Sequence, residues 1–128
     1  MLTAVDFQYS NDIKVVNRQQ YEAHLRLYKG YIDKINEIDK ILKGDAKREE
    51  ANATFSYYRE CKRGETYALD GVILHELYFE NLGGDRCDIN PRSKKQIDIC
   101  FGDYDFWRKD FIATAKASRG WAVLSYDQ

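Results

Sequence analysis

The chain has 128 residues, enough for one domain or two small layers, and its 32% charged and 44% hydrophobic residues are ordinary values for a soluble globular protein. Twenty basic and 21 acidic residues leave a net charge of −1, which argues against a nucleic-acid binder that relies on bulk positive charge. No run of about 18 apolar residues is present, so no membrane span is expected.

The cysteines and the N-terminus indicate a cytoplasmic location. Cys61, Cys87 and Cys100 are odd in number and form no CxxC pair, which is typical of free thiols in a reducing compartment. The first residues, "MLTAVDFQYSNDIK", lack a basic region followed by an apolar stretch, so no secretory signal is expected.

The N-terminal part of the chain predicts an extended arm followed by a long helix. Residues 1–17 show no helical period. From Asn17 or Arg18 apolar residues recur at spacings of three and four, which predicts an amphipathic helix of about 25 residues closed by Gly44. Its predicted packing positions are Tyr21, Leu25, Tyr28, Ile32, Ile35, Ile38 and Leu42.

A second helical region follows the charged connector "DAKREEAN". It is predicted from about Thr54 to Leu82, where Gly83-Gly84 ends it, and Gly64 and Gly71 are possible breaks. Its candidate packing positions are Phe55, Tyr58, Cys61, Leu69, Val72 and Leu77. Two long helices with a short link predict an antiparallel hairpin.

A polar loop, "DRCDINPRS", is the predicted domain boundary, with a helical hairpin domain over 1–88 and a second domain over 89–128. After it, "SKKQIDICF" predicts a short helix stopped by Gly102, and Asp103 is a predicted N-cap for the helix "YDFWRKDFIATAKAS".

The last segment, "GWAVLSYD", alternates in the manner of a β-strand. The predicted fold is therefore α+β and mostly helical: a long N-terminal antiparallel helical hairpin, then an incomplete α/β C-terminal domain with one strand. A lone strand cannot satisfy its backbone groups. We expect either pairing with another chain or a missing remainder of the sheet, and an exposed edge that favours self-association.

The only two histidines, His24 and His75, are candidate metal ligands. On a helix, His75 shares its stripe with aromatic residues and with Gly71 one turn earlier, and His24 shares its stripe with Tyr28 and Tyr31. In an antiparallel hairpin the two stripes would face each other, and two neutral imidazoles suit a transition-metal ion. The alternative is that both histidines are structural, and two ligands make an incomplete metal site.

Three ordered segments resemble the iron/manganese superoxide dismutases. The segment "HELYFENLGG" resembles that family's second-ligand helix, and "HLRLYKGYIDKIN" is similar to its first-ligand helix. The segment "FGDYDFWRKDFIATAKASRGWAVL" is similar to the family's FGS-x-D-x-F block, alanine-rich helix, S-G-W and first strand. The resemblance covers roughly residues 18–128.

Position by position, the resemblance implies His24 and His75 as the first two metal ligands. It implies Tyr31 as the tyrosine at the substrate gateway and Trp121 as a wall of the metal pocket. Tyr28 occupies a place where the family usually has another histidine, and it joins Tyr31 and Trp121 in the predicted catalytic set.

Three features depart from the family pattern. The spacing of seven from His24 to Tyr31 is one shorter than usual. Gly71 stands where iron-type members often carry glutamine, which hints at the manganese-type arrangement. The family's third and fourth ligands, in a pattern like D-x-W-E-H after the third strand, have no match, so the chain is expected to be truncated after the first strand of the C-terminal domain.

The resemblance implies an enzyme that disproportionates superoxide to dioxygen and hydrogen peroxide at one iron or manganese ion per subunit. It also implies a homo-oligomer, a dimer in the family, with no nucleic-acid or membrane partner. Because only two of four ligands are present, the chain alone is expected to have impaired activity. The alternatives are a degenerate non-enzymatic relative and a helical interaction protein with structural histidines.

Overall fold

A computed structural model of the chain describes residues 1–83 and 89–126. The chain divides into two compact units, Met1–Gly84 and Asp85–Gln128. The predicted boundary after residue 88 falls next to residues 84–88, which, with Cys87, lie outside the described part of the chain.

The described part of the first unit contains two long helices and a short 3₁₀ helix, and the second unit contains two shorter helices. Their bounds are α1 (Arg18–Lys43), a 3₁₀ helix (Arg48–Glu50), α2 (Tyr57–Glu80), α3 (Pro91–Phe101) and α4 (Tyr104–Ala117). The described residues contain no helix that is both long and apolar enough to cross a membrane.

Both ends of α1 lie where the sequence predicts them. The Asn17 side chain accepts a hydrogen bond from the Gln20 amide at 2.8 Å, and the Gln20 side chain accepts one from the Asn17 amide at 3.0 Å. This reciprocal pair satisfies two amides that the first helical turn leaves without partners. At the other end the Gly44 amide donates to the carbonyls of Lys40 and Ile41.

Helix α2 is continuous across both glycines, and it begins later than predicted. The Asn52 side chain accepts from the amides of Thr54 and Phe55, which folds that stretch into a turn. Ser56 then caps the helix by accepting from the Arg59 amide at 3.2 Å. The first turn of α2 therefore starts at Tyr57, three residues after the predicted Thr54.

The predicted antiparallel hairpin is confirmed by the order of contacts between α1 and α2. Tyr21 near the start of α1 touches Phe79 near the end of α2, with ring centroids 4.9 Å apart. A Cβ added at Gly64, near the start of α2, would lie 3.1 Å from the Ile38 side chain near the end of α1. The start of α1 thus contacts the end of α2, and the end of α1 contacts the start of α2, as in an antiparallel pair.

The core lies between the two helices and the N-terminal arm. Its buried apolar members include Ile13, Tyr21, Tyr28, Ile32, Val72 and Phe79. Three predicted packing positions of the second helical region are wrong: Phe55 is 76% exposed, and Leu69 and Leu77 are 42% and 48% exposed. Phe55 lies in the turn before α2. Leu69 and Leu77 lie on a second apolar face of α2, and the face that meets α1 is the one with Val72 and Phe79.

The predicted arm runs along the hairpin. The Leu2 amide donates to the Asn36 side chain at 2.7 Å, and that side chain donates back to the Leu2 carbonyl at 2.8 Å. Further along, the Phe7 ring lies 4.9 Å from the Phe79 ring, and Ile13 is buried in the core. The arm therefore supplies part of the hydrophobic core.

In the second unit, the predicted helix "SKKQIDICF" begins earlier than expected. The Asn90 side chain caps α3 by accepting from the Arg92 amide, and Pro91 occupies the first turn, where its missing amide proton costs nothing. Pro91 and Arg92 therefore belong to a helix and not to the predicted polar loop. Gly102 ends α3 at φ 84°, and Asp103 caps α4 by accepting from the Phe106 amide at 2.7 Å.

The predicted strand "GWAVLSYD" is wrong over its described residues. Residues 121–126 have no regular secondary structure. A strand is defined by hydrogen bonds to a neighbour, and no described segment of this unit offers a partner edge, so alternation alone does not produce one. The mostly helical class of the prediction is confirmed.

Candidate metal centre

His75 lies on the inner face of α2 and is 4% exposed. Its Nδ1 lies 2.6 Å from the Gly71 carbonyl oxygen, one turn earlier on the same helix. A carbonyl only accepts, so Nδ1 carries the proton in this contact and Nε2 carries the lone pair of the neutral ring. A backbone contact of this kind fixes the orientation and tautomer of a histidine that binds metal.

His24 projects from α1 toward the same region. Its ring centroid lies 5.8 Å from that of His75 and 4.9 Å from that of Tyr78. The His24 Nδ1 is buried and finds no hydrogen-bond partner among the described residues. A buried polar nitrogen without a partner is costly in a purely structural role, which favours a ligand at this position.

The electrostatic environment keeps His75 neutral. Burial lowers the pKa of the imidazole below its usual value, and the neighbouring His24 lowers it further, against the opposing effect of the Gly71 carbonyl. Neutral imidazole is the form that binds a metal ion.

Tyr31 lies beside His75, with ring centroids 5.5 Å apart. Its ring rests against Gly71, where an added Cβ would lie 2.7 Å from the ring carbons. Its pKa is raised by a hydrogen bond with the Tyr67 hydroxyl and by burial. Tyr67 did not figure in the prediction, although its spacing of four before Gly71 places it on the stripe of His75.

Tyr28 is fully buried, and its hydroxyl is held between two other groups. It donates to Glu76 Oε1 at 2.7 Å and accepts from the Val5 amide at 2.9 Å. The sequence gives no signal for this contact, since Glu76 lies outside the stripe of His75. The tyrosine thus ties the arm, α1 and α2 together.

The hairpin brings His24, His75 and Tyr31 together. Trp121 lies in the other unit, in the segment after α4, and it is 38% exposed.

The described residues bring together two side chains that can bind a metal ion, which is fewer than a complete metal site needs. Within 1–83 and 89–126, no group of three or more histidine, cysteine, aspartate or glutamate side chains is placed to hold one metal ion. The two imidazoles fit iron or manganese as nitrogen donors, and they supply no negative charge to balance a trivalent ion. Two imidazoles could therefore supply part of a coordination shell and not the whole of it.

Comparison with known proteins points to one family. The iron superoxide dismutase of Aquifex aeolicus is 39% identical over 120 residues, which cover 91% of this chain and 56% of the relative. The iron enzyme of Cupriavidus metallidurans is 33% identical over 77% of this chain and 50% of the relative. Superoxide dismutase [Mn] 2 of Haloferax volcanii is 33% identical over 78% of this chain and 49% of the relative.

No family model matches the chain. No solved structure matches it either. Matches to iron-dependent and manganese-dependent relatives alike cover most of this chain, and the hairpin places two histidines side by side. The chain belongs to the iron/manganese superoxide dismutase family. It spans about half the length of the curated relatives that it matches, 56% in the case of the Aquifex aeolicus enzyme.

Proposed function

We propose that the hairpin supplies two ligands, His24 and His75, to a mononuclear iron or manganese centre that disproportionates superoxide. The observation that carries this proposal is the pair of imidazoles 5.8 Å apart, one of them fixed by the Gly71 carbonyl. Homology to iron and manganese superoxide dismutases supports both the metal and the substrate. Under this proposal, the other ligands of the metal ion come from residues other than His24 and His75.

The reaction converts two superoxide ions and two protons into one dioxygen and one hydrogen peroxide. The metal ion, when bound, supplies the one-electron chemistry. The chain's own residues hold and orient the metal-binding imidazole. The Gly71 carbonyl fixes His75 so that Nε2 carries the lone pair. Because the ring is neutral, that lone pair stays available to a metal ion.

Tyr31 is proposed as the group that handles protons beside the centre. Its ring lies next to His75, and its phenol both donates and accepts hydrogen bonds. The Tyr31 phenol forms a hydrogen bond with the phenol of Tyr67. Tyr28 has a different part in this proposal, because its hydroxyl is occupied by Val5 and Glu76 and it acts by positioning α1 against α2.

Trp121 is proposed as a wall of the metal pocket on the strength of family resemblance. A large ring at such a position excludes water and lowers the local dielectric constant, which strengthens electrostatic interactions at the centre. A cytoplasmic location is proposed from the thiols of Cys61 and Cys100, both of which are free.

Metal binding tests the proposal without requiring turnover. We expect Mn²⁺ or anaerobic Fe²⁺ to bind the purified chain with a stoichiometry near one, measured by equilibrium dialysis with elemental analysis. His75→Ala and His24→Ala should each weaken binding by about tenfold or more, because each removes a donor. Lys29→Ala, an exposed change on α1, is the matched control and should bind as the unmodified chain does.

Equal binding by the unmodified chain and both histidine variants would refute the proposal. A superoxide assay on the same samples measures turnover. We expect low activity from the 128-residue chain alone, since two neutral ligands neither complete the shell nor tune the potential of the ion. Turnover close to that of intact relatives would contradict the expectation of impaired activity.

A further inference from the structure

One tyrosine of α1 contacts three successive positions on one stripe of α2. Tyr67, Gly71 and His75 are each four residues apart, so they follow one another along one side of the helix. The centroid of the Tyr31 ring lies 5.9 Å from that of Tyr67 and 5.5 Å from that of His75. Its carbons lie 2.7 Å from the place of an added Cβ at Gly71. The Tyr31 ring therefore bridges Tyr67 and His75.

Exposure to solvent rises along this row of side chains. His75 is 4% exposed, Tyr31 is half-buried and Tyr67 is 70% exposed. A small molecule that approaches on this side of the hairpin meets Tyr67 first, then Tyr31 and then His75. The position of the Tyr31 ring thus decides whether His75 can be reached by this route.

The Tyr31 ring is held by packing, and its hydroxyl is held by a hydrogen bond. The bond is with the phenol of Tyr67. The two rings also meet edge to face, at an interplanar angle of 63°, which is a favourable arrangement for aromatic side chains. Because Tyr67 belongs to α2 and Tyr31 to α1, the bond ties the ring of one helix to the surface of the other.

Tyr67 also lines an open hollow of about 740 Å³ on the surface near the start of α2. The other lining residues include Arg59, Arg63 and Asp70. A hollow with charged walls is open to water and to small hydrophilic molecules. Tyr67 is thus the point at which solvent meets the row of side chains that leads to His75.

We propose that Tyr67 is a positioning residue whose hydroxyl holds the Tyr31 ring against Gly71 and so limits the access of small molecules from the hollow to His75. This inference deepens the proposed function and rests on it, because access to His75 matters for catalysis only when His75 binds the metal ion. A diatomic anion such as superoxide needs less opening of the ring than a larger molecule does. The hydrogen bond therefore favours superoxide over bulkier molecules.

Chemical modification of the metal-free chain with diethyl pyrocarbonate tests the proposal, since this reagent modifies neutral imidazole. Peptide mapping by mass spectrometry gives the rate at His75 separately from the rates at other residues. Tyr67→Phe keeps the ring and removes the hydroxyl. We expect it to raise the His75 rate by about threefold or more, because loss of one hydrogen bond shifts the balance between the closed and open positions of Tyr31 by about that factor.

Tyr57→Phe is the matched control. Tyr57 is also a tyrosine of α2, it is 46% exposed, and its hydrogen bond is with Cys61. It lies 18 residues before His75, or about 27 Å along the helix axis at 1.5 Å per residue. This variant should leave the His75 rate unchanged, and urea unfolding checks that both variants keep the stability of the unmodified chain.

A double-mutant cycle tests whether the two hydroxyls act together. Tyr31→Phe should raise the His75 rate as much as Tyr67→Phe does, because either change removes the same hydrogen bond. The double variant should match each single variant, since no bond is left to lose.

An unchanged His75 rate in Tyr67→Phe would overturn the proposal. An equal rise in Tyr57→Phe would mean a general loosening of α2, and effects that multiply in the double variant would mean that the hydroxyls act separately; either result overturns it too. The rates do not depend on bound metal. A chain that shows the expected rates but binds no Mn²⁺ or Fe²⁺ therefore refutes the proposed function and not the positioning of Tyr31 by Tyr67.

Discussion

At the residue scale, Gly71 affects the geometry of the candidate centre in two ways. Its carbonyl oxygen accepts from His75 Nδ1 at 2.6 Å, and its missing side chain makes room for the Tyr31 ring. A glycine inside a helix normally costs about 0.5–1 kcal/mol relative to alanine. Here the helix keeps it because the facing ring occupies the volume that a Cβ would need.

The substitution Gly71→Ala is therefore expected to destabilise the chain. The new methyl group would lie 2.7 Å from the Tyr31 ring carbons, and relieving that overlap should lower the free energy of unfolding by about 1–3 kcal/mol in spite of the better helix propensity of alanine. Urea unfolding followed by circular dichroism measures the change.

Gly30→Ala is the matched control, because a Cβ at this position in α1 meets nothing within 4 Å. It should be neutral or stabilising by up to about 1 kcal/mol. If Gly71→Ala proved as stable as Gly30→Ala, the Tyr31 ring would not lie against Gly71 in solution.

At the scale of elements, the arm and the two helices are joined by one phenol. The Tyr28 hydroxyl links the Val5 amide to the Glu76 carboxylate, and Asn36 holds the Leu2 backbone with two further hydrogen bonds. The arm has no regular structure of its own to satisfy its backbone groups, so these side chains fulfil that need.

Tyr28→Phe is expected to loosen the arm while the helices stay folded. Loss of the hydroxyl leaves the Val5 amide and the Glu76 carboxylate without this partner, at a cost of about 0.5–1.5 kcal/mol for each hydrogen bond. Hydrogen exchange should show faster exchange of the Val5 amide, while amides in the middle of α1 keep their protection.

Tyr67→Phe is the control, because it removes a hydroxyl from a tyrosine that is 70% exposed and whose hydrogen bond is with Tyr31 on α1. Unchanged protection of Val5 in Tyr28→Phe would mean that the arm is held by its apolar contacts alone.

At the scale of the whole molecule, buried tyrosines make stability depend on alkaline pH. Burial raises the pKa of Tyr21, with Asp6 and Tyr78 adding to the effect, and burial and the hydrogen bond to Glu76 raise the pKa of Tyr28. Unfolded phenols lose their protons near pH 10, so above that pH the unfolded chain binds fewer protons than the folded chain. Stability therefore falls as the pH rises.

We expect the part of the free energy of unfolding that these tyrosines contribute to be retained below about pH 10 and to be lost progressively above it, as urea unfolding at a series of alkaline pH values would measure. The ultraviolet absorbance of tyrosinate should show that some of the ten tyrosines ionise only at higher pH than the rest. In Tyr21→Phe the fall should be shallower. A single ionisation step at the pH of free tyrosine, with unchanged stability, would contradict the buried setting of these phenols.

The sequence by itself determined that α1 to α4 form, where α1 begins and ends and where α4 begins, since caps such as Asn17, Gly44 and Asp103 act within a few residues of their own positions. The starts of α2 and α3 differ from the prediction by three and two residues. The three-and-four spacing of the apolar residues also predicted the hairpin that faces His24 toward His75.

Only the tertiary structure decided which face of α2 is buried, because Leu69 and Val72 are equally apolar and the choice depends on what α1 presents. It likewise decided that the Tyr28 hydroxyl meets Glu76, a contact between residues 48 positions apart. It also decided that residues 121–126 form no strand, because a strand requires a neighbour that alternation along one segment cannot specify. Local interactions are encoded locally, whereas contacts between distant segments depend on the packing of the whole unit.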